Sequence, residues 1–238
     1  MWYKLKRIMM RPNGVEKQVR PSWWWGWQPW ANTIAYYPLT SETTVNDMSG
    51  NEYNLSSSWT VTYTTALGVS SMLAWNWYLY KQISTIPVWA NDRTLSIWAY
   101  LPSLIYNKYF IMWFYGTRAS KHKQQQMCYN TYDTTITPYL SNHYDDLFNS
   151  AINNSLSQWY NIIYVYDWTT QYLYNNGTLI AQQNITLETG NNTLYIWASS
   201  NWWDKFSWNL SNLIIENVAW TAQEVADYYN LTKWNYWL

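Results

Sequence analysis

Gln158-Trp159-Tyr160-Asn161-Ile162-Ile163-Tyr164-Val165-Tyr166-Asp167, followed after a short gap by Leu173-Tyr174-Asn175-Asn176-Gly177, is the stretch whose reading decides the fold. Aromatic residues recur along Tyr160–Tyr166 with period two, the spacing that puts them on one face of a β-strand. Asn175-Asn176-Gly177-Thr178 is tight-turn chemistry, because Asn and Gly accept the left-handed backbone that a short hairpin demands. A strand, its hairpin partner and the returning strand are therefore expected over Trp159–Tyr166, Gln171–Asn175 and Thr178–Gln183.

The same rhythm runs outward in both directions. From Thr33 onward, short runs of Tyr, Ile, Val, Thr and Leu alternate with Asn, Asp, Ser and Gly clusters. Eight further strands are expected, over Ile34–Tyr37, Trp59–Thr64, Leu79–Ile83, Thr94–Tyr100, Tyr109–Tyr115, Gln126–Tyr132, Thr193–Ala198 and Asn209–Val218. One helix is expected near the end, with Thr221 as N-cap and Glu224 completing a capping box ahead of Val225, Tyr228 and Tyr229. Strands throughout with one terminal helix describe an all-β, two-sheet antiparallel sandwich. Residues 1–32 read as a basic, Pro-interrupted arm or linker, and 33–238 as the domain.

Several pieces in order resemble the laminin-G-like, concanavalin A-like lectin/glucanase jelly-roll family, over roughly residues 33–230. Ile34-Ala35-Tyr36-Tyr37-Pro38-Leu39 and Asn46-Asp47-Met48-Ser49-Gly50-Asn51 resemble its first strand and Asp-x-Ser-Gly-Asn turn. Thr94-Leu95-Ser96-Ile97-Trp98-Ala99-Tyr100 resembles the core strand with its buried Trp, and the stretch quoted first resembles the Trp-Tyr strand and Tyr-x-Asn-Gly hairpin. Phe206-Ser207-Trp208-Asn209-Leu210 and Ala219-Trp220-Thr221-Ala222-Gln223-Glu224-Val225 are similar to the closing strand and final helix. The resemblance implies a jelly roll with a short C-terminal helix, and a non-catalytic carbohydrate-binding or adhesion module of lectin type. The alternative is a structural virion or surface-assembly protein that uses the jelly roll for protein–protein contacts.

Composition raises a separate question. The chain has 21 Trp and 7 Gly, where average usage would give roughly 17 glycines. Many tryptophans stand where a β-protein wants glycine: Trp23-Trp24-Trp25, Trp168 after Asp167, and Trp202-Trp203 before Asp204. One codon, UGA, is read as Trp under one variant genetic code and as Gly under another, and translation under the wrong table would produce this pattern. The other reading is a genuinely Trp-rich ligand surface. Trp59, Trp75, Trp77, Trp89, Trp168, Trp197, Trp202, Trp203, Trp208 and Trp237 fall in the glycine set, whereas Trp98, Trp159 and Trp220 belong to the core; Trp2, Trp27, Trp113 and Trp234 stay unassigned. Codon-level glycines predict positive φ, tight turns or side chains in solvent.

Net charge is zero and only 12% of residues are charged, which argues against a nucleic-acid backbone binder. Lys4, Lys6, Arg7 and Arg11, and Arg118, Lys121, His122 and Lys123, read as solvated tail and loop faces. Catalytic relatives of the jelly roll pair acidic residues on one strand as in Glu-x-Asp-x-x-Glu, and that arrangement is absent here; Asp145-Asp146 reads as a loop pair. No enzyme is expected. His122 and His143 lack partners at metal spacing, and the single Cys128 cannot form an intramolecular disulfide. A Ca²⁺ ion is the one cofactor for which loop oxygens offer candidates, Asp47 first and Asp204 second, although Asp47 bonding its own turn is the simpler role. The expected partner is a glycan or a protein surface, with a homo-oligomer left open. No run nears the roughly 18 apolar residues of a membrane span, and the N-terminus lacks the apolar core of a secretory signal. The expected location is a cell surface or virion reached by another route, otherwise the cytoplasm.

Overall fold

The computed structural model of the chain describes residues 8–10, 16–18, 30–40, 45–57, 61–73, 79–102, 108–114, 125–130, 136–142, 145–190, 193–196 and 209–238. In chain order the strands are β1 (Ile8–Met10), β2 (Glu16–Gln18), β3 (Thr33–Tyr37), β4 (Ser56–Ser57), β5 (Thr62–Ala66), β6 (Val69–Leu73), β7 (Leu79–Gln82), β8 (Arg93–Leu101) and β9 (Lys108–Phe114). They continue with β10 (Gln125–Asn130), β11 (Thr137–Ser141), β12 (Leu147–Phe148), β13 (Gln158–Tyr166), β14 (Thr170–Asn175), β15 (Thr178–Asn184), β16 (Thr193–Ile196) and β17 (Asn209–Glu216). Helix α1 (Ala222–Thr232) and a 3-10 turn over Lys233–Tyr236 close the chain. Every strand expected from the sequence is present, with shifted ends. The strands not foreseen are β1 and β2, which pair as a small hairpin, and β4, β6, β11 and β12.

The sandwich is antiparallel throughout. One sheet has the order β12-β11-β10-β9-β16-β7-β4, the other β15-β14-β13-β8-β17-β6-β5, with β3 also paired to β17. β13 sits inside the larger sheet, in register with β8 from Gln158↔Leu101 to Tyr166↔Arg93 and with β14 from Ile162↔Asn175 to Tyr166↔Gln171. The β14–β15 hairpin turns at Asn176 (φ 50°) and Gly177 (φ 77°), the paired positive φ of a type I′ turn. Gly177 has a second constraint: an added Cβ would lie 2.9 Å from Tyr229 of α1, so the turn and helix approach too closely for a side chain.

From Trp159 to Tyr166 every residue of β13 is buried. Tyr160, Ile162, Tyr164 and Tyr166 face the core between the sheets, with Leu95, Ile97, Met127 and Leu194. The alternate row, Ile163 and Val165, lies beneath α1 with Tyr174, Trp220, Val225 and Tyr228. The strand keeps its period of two, but the helix gives its second face an apolar cover, so polarity does not alternate. Each large apolar side chain buried there contributes roughly 1.5–3 kcal/mol.

The helix starts as expected. Thr221 accepts from Glu224 N–H and the Glu224 carboxylate accepts from Thr221 N–H, the two halves of a capping box. Trp220 donates from Nε1 to the buried Glu216 carboxylate at 2.6 Å, and Thr33 Oγ1 donates to its other oxygen at 3.0 Å. Helix, β17 and β3 are thereby tied at one carboxylate. β17 changes neighbours along its length, pairing with β6 at Asn209–Leu210 and with β3 at Leu213–Glu216. Asn212, at φ 49°, makes the switch, and its side chain bonds Tyr36 Oη at 2.9 Å and Tyr236 Oη at 2.6 Å. Burial pushes the Tyr36 hydroxyl up to about 12.

The tryptophans assigned to the core and those assigned to glycine positions differ in environment, while Trp30 is half-buried and Trp234 is exposed without positive φ. Trp98, Trp159 and Trp220 are 0%, 0% and 3% exposed. Trp159 donates to Ala66 O at 3.1 Å, and Trp98 stacks on Tyr236 with ring centres 3.8 Å apart. Trp89, Trp168 and Trp237 instead have φ of 56°, 75° and 60° and are 60%, 60% and 77% exposed. Trp237 is the left-handed cap that ends the 3-10 turn, a position where glycine is enriched. Trp23, Trp24, Trp25, Trp59, Trp75, Trp77, Trp197, Trp202, Trp203 and Trp208 lie outside the described residues.

Candidate functional site

β13 and β15 end, and β8 begins, at one end of the sandwich, and this geometry gathers loops far apart in sequence. The segment 83–92 enters β8, the turn 167–169 joins β13 to β14, and 185–189 leaves β15. Residue 217, just past β17, completes the rim.

Two buried residues organise these loops from below. Arg93 is fully buried, an expensive place for a charge unless its donors are met. Its guanidinium donates to Pro87 O (2.9 Å), Asn91 O (3.2 Å), Thr189 Oγ1 (3.1 Å) and Trp89 O, and lies 5.1 Å from the centre of the Tyr166 ring. Carbonyls of a single loop thus converge on one cation and fix that loop's path. Tyr166, the register partner of Arg93, fixes the other two. Its hydroxyl lies 2.7 Å from Trp168 O and 3.2 Å from Ile185 O, and accepts from Leu187 N–H at 3.2 Å. Burial raises the Tyr166 hydroxyl above its usual range, despite the Leu187 N–H and the Arg93 charge. Trp89 N–H to Thr189 O (2.6 Å) joins the first loop to the third.

The turn is held by Asp167. Its Oδ1 accepts from Thr170 N–H (2.9 Å), Thr169 N–H (3.3 Å) and Thr169 Oγ1 (3.2 Å), and its Oδ2 accepts from Tyr172 Oη (2.8 Å). Burial alone would raise this carboxyl, but the Tyr172, Thr170 and Thr169 donors outweigh it, and the net shift is downward. Asp92 moves the other way: burial and the Asp167 charge raise it, against the nearby Arg93.

Two hollows adjoin this turn. One, of about 600 Å³, is lined by Asp145, Thr169, Thr170, Gln183, Asn184 and Thr186 among others. The second, of about 540 Å³, is lined by Thr85, Pro87, Asn91, Asp92, Trp168 and Asn217 among others. Both fall within the roughly 300–1,000 Å³ of small-molecule sites. Side-chain amides in the first hollow are oriented from behind. Asn142 Nδ2 donates to Gln171 Oε1 (2.8 Å) and Gln171 Nε2 to Gln183 Oε1 (3.0 Å). Thr170 Oγ1 donates to Asn184 Oδ1 (3.0 Å). With their oxygens engaged, Gln183 and Asn184 keep their amide N–H groups for an incoming acceptor, beside the Asp145 carboxylate.

Asp47 occupies a different place, beside β3. Its Oδ1 accepts from Tyr36 N–H (2.9 Å) and Ser49 N–H (2.9 Å), and its Oδ2 from Ser49 Oγ (2.7 Å) and Tyr53 N–H (3.1 Å). Asn51 Nδ2 reaches the Thr33 and Ile34 carbonyls at 3.1 and 2.9 Å. The Asp-x-Ser-Gly-Asn turn therefore satisfies backbone groups of β3 that no strand reaches. Asp204, His122 and His143 lie outside the described residues. Asp146 accepts from Tyr139 Oη, whereas its neighbour Asp145 lines the first hollow. Among the described residues no three His, Cys, Asp or Glu side chains are grouped to hold a metal ion, and no helix is long and apolar enough to cross a membrane. Sequence reasoning assigned no carbohydrate-binding residues and did not foresee this rim; the polar runs Asn91-Asp92 and Gln183-Asn184 beside strand ends were the available signal.

No protein-family description matches the chain, and no curated protein sequence does. Solved structures do match in shape. Domain 4 of AbnA, an extracellular arabinanase of family GH43 from Geobacillus stearothermophilus, in complex with arabinotriose, is 15% identical with a TM-score of 0.65, covering 82% of this chain and 97% of that one. The chain shares the antiparallel β-sandwich fold of that domain. The binding domain of Paraclostridial Mosquitocidal Protein 1 is 16% identical with a TM-score of 0.67, covering 84% of this chain and 52% of that one. The botulinum neurotoxin serotype D ligand binding domain in complex with N-acetylneuraminic acid is 13% identical with a TM-score of 0.63, covering 84% and 50%. The chain thus spans about half the length of these two toxin domains.

Proposed function

We propose that the protein is a non-catalytic carbohydrate-binding module whose site is the loop rim around the 167–170 turn. The observation that carries this reading is the pair of hollows in which side-chain amides and carboxylates converge on loops already fixed by Arg93 and Tyr166. Sugar hydroxyls both donate and accept, and an amide beside a carboxylate meets both needs. Prior ordering of the loops lowers the entropy lost on binding. The matched arabinanase domain, seen with arabinotriose, supports the ligand class. Asp47 serves the same module as a turn-builder and not as a calcium ligand, since donors already occupy both its oxygens. A glycan array on the full chain, followed by titration of Asn91→Ala and Asn184→Ala, tests the site. Binding weakened by both substitutions with unchanged melting supports it; glycan binding indifferent to both overturns it.

A second reading concerns the residues themselves. We infer that Trp89, Trp168 and Trp237 stand at glycine positions, as reading of UGA under the wrong code would produce. Its support is that these three are at positive φ and exposed, whereas the tryptophans assigned to the core are buried and two of them donate from the indole N–H. The rim reading rests on amides and carboxylates and so does not need Trp89 or Trp168. Intact mass of the natural protein tests this second reading, since each Trp-to-Gly change removes about 129 Da; a mass at the 28.7 kDa of the written sequence overturns it.

A further inference from the structure

We infer that the two hollows are subsites for one ligand, an extended oligosaccharide laid across the 167–170 turn, so that the module reads a stretch of glycan chain and not a single terminal sugar. This rests on the rim being the glycan site and adds how that site is filled. Sheet order sets the spacing. Thr170 opens β14 while Gln183 and Asn184 close β15, which places the first hollow at the end of the β14–β15 pair. Asn91 and Asp92 precede β8 and Asn217 follows β17, which places the second at the end of the β8–β17 pair. With β13 between the two pairs, the hollows stand two to three strand spacings apart, about 10–14 Å. One sugar ring is too short to reach from one to the other, whereas a chain of a few linked rings spans both.

What separates the hollows is low and rigid. Trp168 lines the second and Thr169 the first, so the divide is the crest of a tight hairpin turn. Asp167 N–H donates to Thr170 O across that turn at 3.1 Å, and Ile185 N–H donates to Thr169 O at 2.8 Å. The Tyr166 hydroxyl touches both sides at once, 2.7 Å from the carbonyl of Trp168 in one wall and 3.2 Å from that of Ile185 in the other. The core thus sets the spacing, and a ligand that matches it enters the second hollow at no further cost in loop ordering. The walls are also alike. Gln183 and Asn184 amides stand with the Thr170 and Thr186 hydroxyls in one, and Asn91 and Asn217 with Ser84 and Thr85 in the other. A ligand of repeating, hydroxyl-rich units presents both walls with the chemistry they share. Once one hollow is filled, filling the other is intramolecular, so affinity climbs with chain length until both are occupied and then levels.

The test is calorimetric titration of the full chain with size ladders, monosaccharide to hexasaccharide, of arabinan, xylan, β-glucan and galactan. On a ladder that binds, affinity should rise about tenfold or more from disaccharide to hexasaccharide, with one hexasaccharide bound per chain. Asn91→Ala and Asn184→Ala, both at exposed positions, should keep the parent melting temperature. Each should lower hexasaccharide affinity several-fold, toward that of the disaccharide. Equal affinity for the two lengths, two hexasaccharides per chain, or hexasaccharide binding weakened by only one of the substitutions overturns the spanning ligand and leaves the rim as the glycan site. Binding indifferent to both substitutions, or no binding on any ladder, overturns both.

Discussion

Replacing Trp89, Trp168 or Trp237 by glycine should cost the fold little, at most about 1 kcal/mol per site. Holding a bulky L-residue in the left-handed region costs roughly 1–2 kcal/mol, because Cβ crowds the following carbonyl. Glycine returns part of that through the extra freedom it has in the unfolded chain, roughly 0.5–1 kcal/mol. These side chains are 60%, 60% and 77% exposed, so the replacement also gives up roughly 60–100 Å² of burial per indole, about 1–2 kcal/mol. The opposing effects nearly cancel, leaving a loss of no more than about 1 kcal/mol per site, Trp89 and Trp168 being neighbours on one rim and so less independent than Trp237. For a chain of this size that lowers the midpoint of thermal unfolding by at most about 2–4 °C per site.

The control is the opposite substitution set. Trp98→Gly, Trp159→Gly or Trp220→Gly empties a closed core site and should cost at least 3–5 kcal/mol. Trp159→Gly also deprives Ala66 O of its donor, and Trp220→Gly deprives Glu216. Melting followed by far-UV circular dichroism and by urea titration reads both sets. A variant at any of the three exposed sites that loses as much as a core variant refutes the reasoning, since it would show that indole holding the fold from its exposed position. Glycan affinity lost specifically in Trp168→Gly would refute the part that frees the site from its aromatic residue.

Arg93→Met should cost about 3–5 kcal/mol, because three carbonyls and Thr189 lose a buried charged donor; hydrogen exchange should rise first in residues 83–92, and uniform protection across that loop would contradict the hub role. Asp47→Ala should cost about 2–4 kcal/mol by orphaning the Tyr36 and Tyr53 N–H groups, while millimolar Ca²⁺ leaves the parent melting point unmoved. Asp167 titrates below its ordinary 3.8 in the fold, so its stabilising contribution is complete above that pH and is lost as pH falls through the lower, folded value. Asp167→Asn should therefore flatten the acid limb of stability against pH. Asp92 titrates high, so protonating it on acidification favours the fold, and Asp92→Asn should steepen the same limb. Acid unfolding curves unchanged in both variants would rule out the pair as opposing titrants.

The β-sandwich was legible because its central hairpin states its own geometry. Tyr160–Tyr166 has period two, and Asn176-Gly177 has the positive φ its sequence demands. Thr221 and Glu224 announced the helix through side chains that cap locally. The strands that escaped reading, such as β6 and β11, are Ser- and Thr-containing segments whose order comes from neighbours across the sheet. The site was less legible for the same reason. Asn91, Asp92, Thr170, Asn184 and Asn217 look like ordinary loop residues, and only the sheet's connections bring them to one rim. Arg93 opens β8, and nothing local in the sequence says that carbonyls upstream will fold over it.

That arrangement also gives the rim its shape from within the sandwich. Arg93 and Tyr166 face each other across the β8–β13 ladder, in strands whose pairing is fixed over nine positions by burial on both faces. A register slip of one residue in either strand would turn that strand's side chain to the opposite face and release the loops it holds. The loops therefore take their order from the core, through a cation and a phenol. In a lectin whose loops are pinned by a metal, removing the metal loosens the site and leaves the sandwich intact. Here loop order and sandwich stability share the same two residues, so glycan affinity and melting temperature should fall together in Arg93→Met and Tyr166→Phe, the latter by about 1–2 kcal/mol through its three hydroxyl contacts. Chelators should change neither, and affinity that falls on chelation while the melt holds would place the ordering element at an ion and not at this pair.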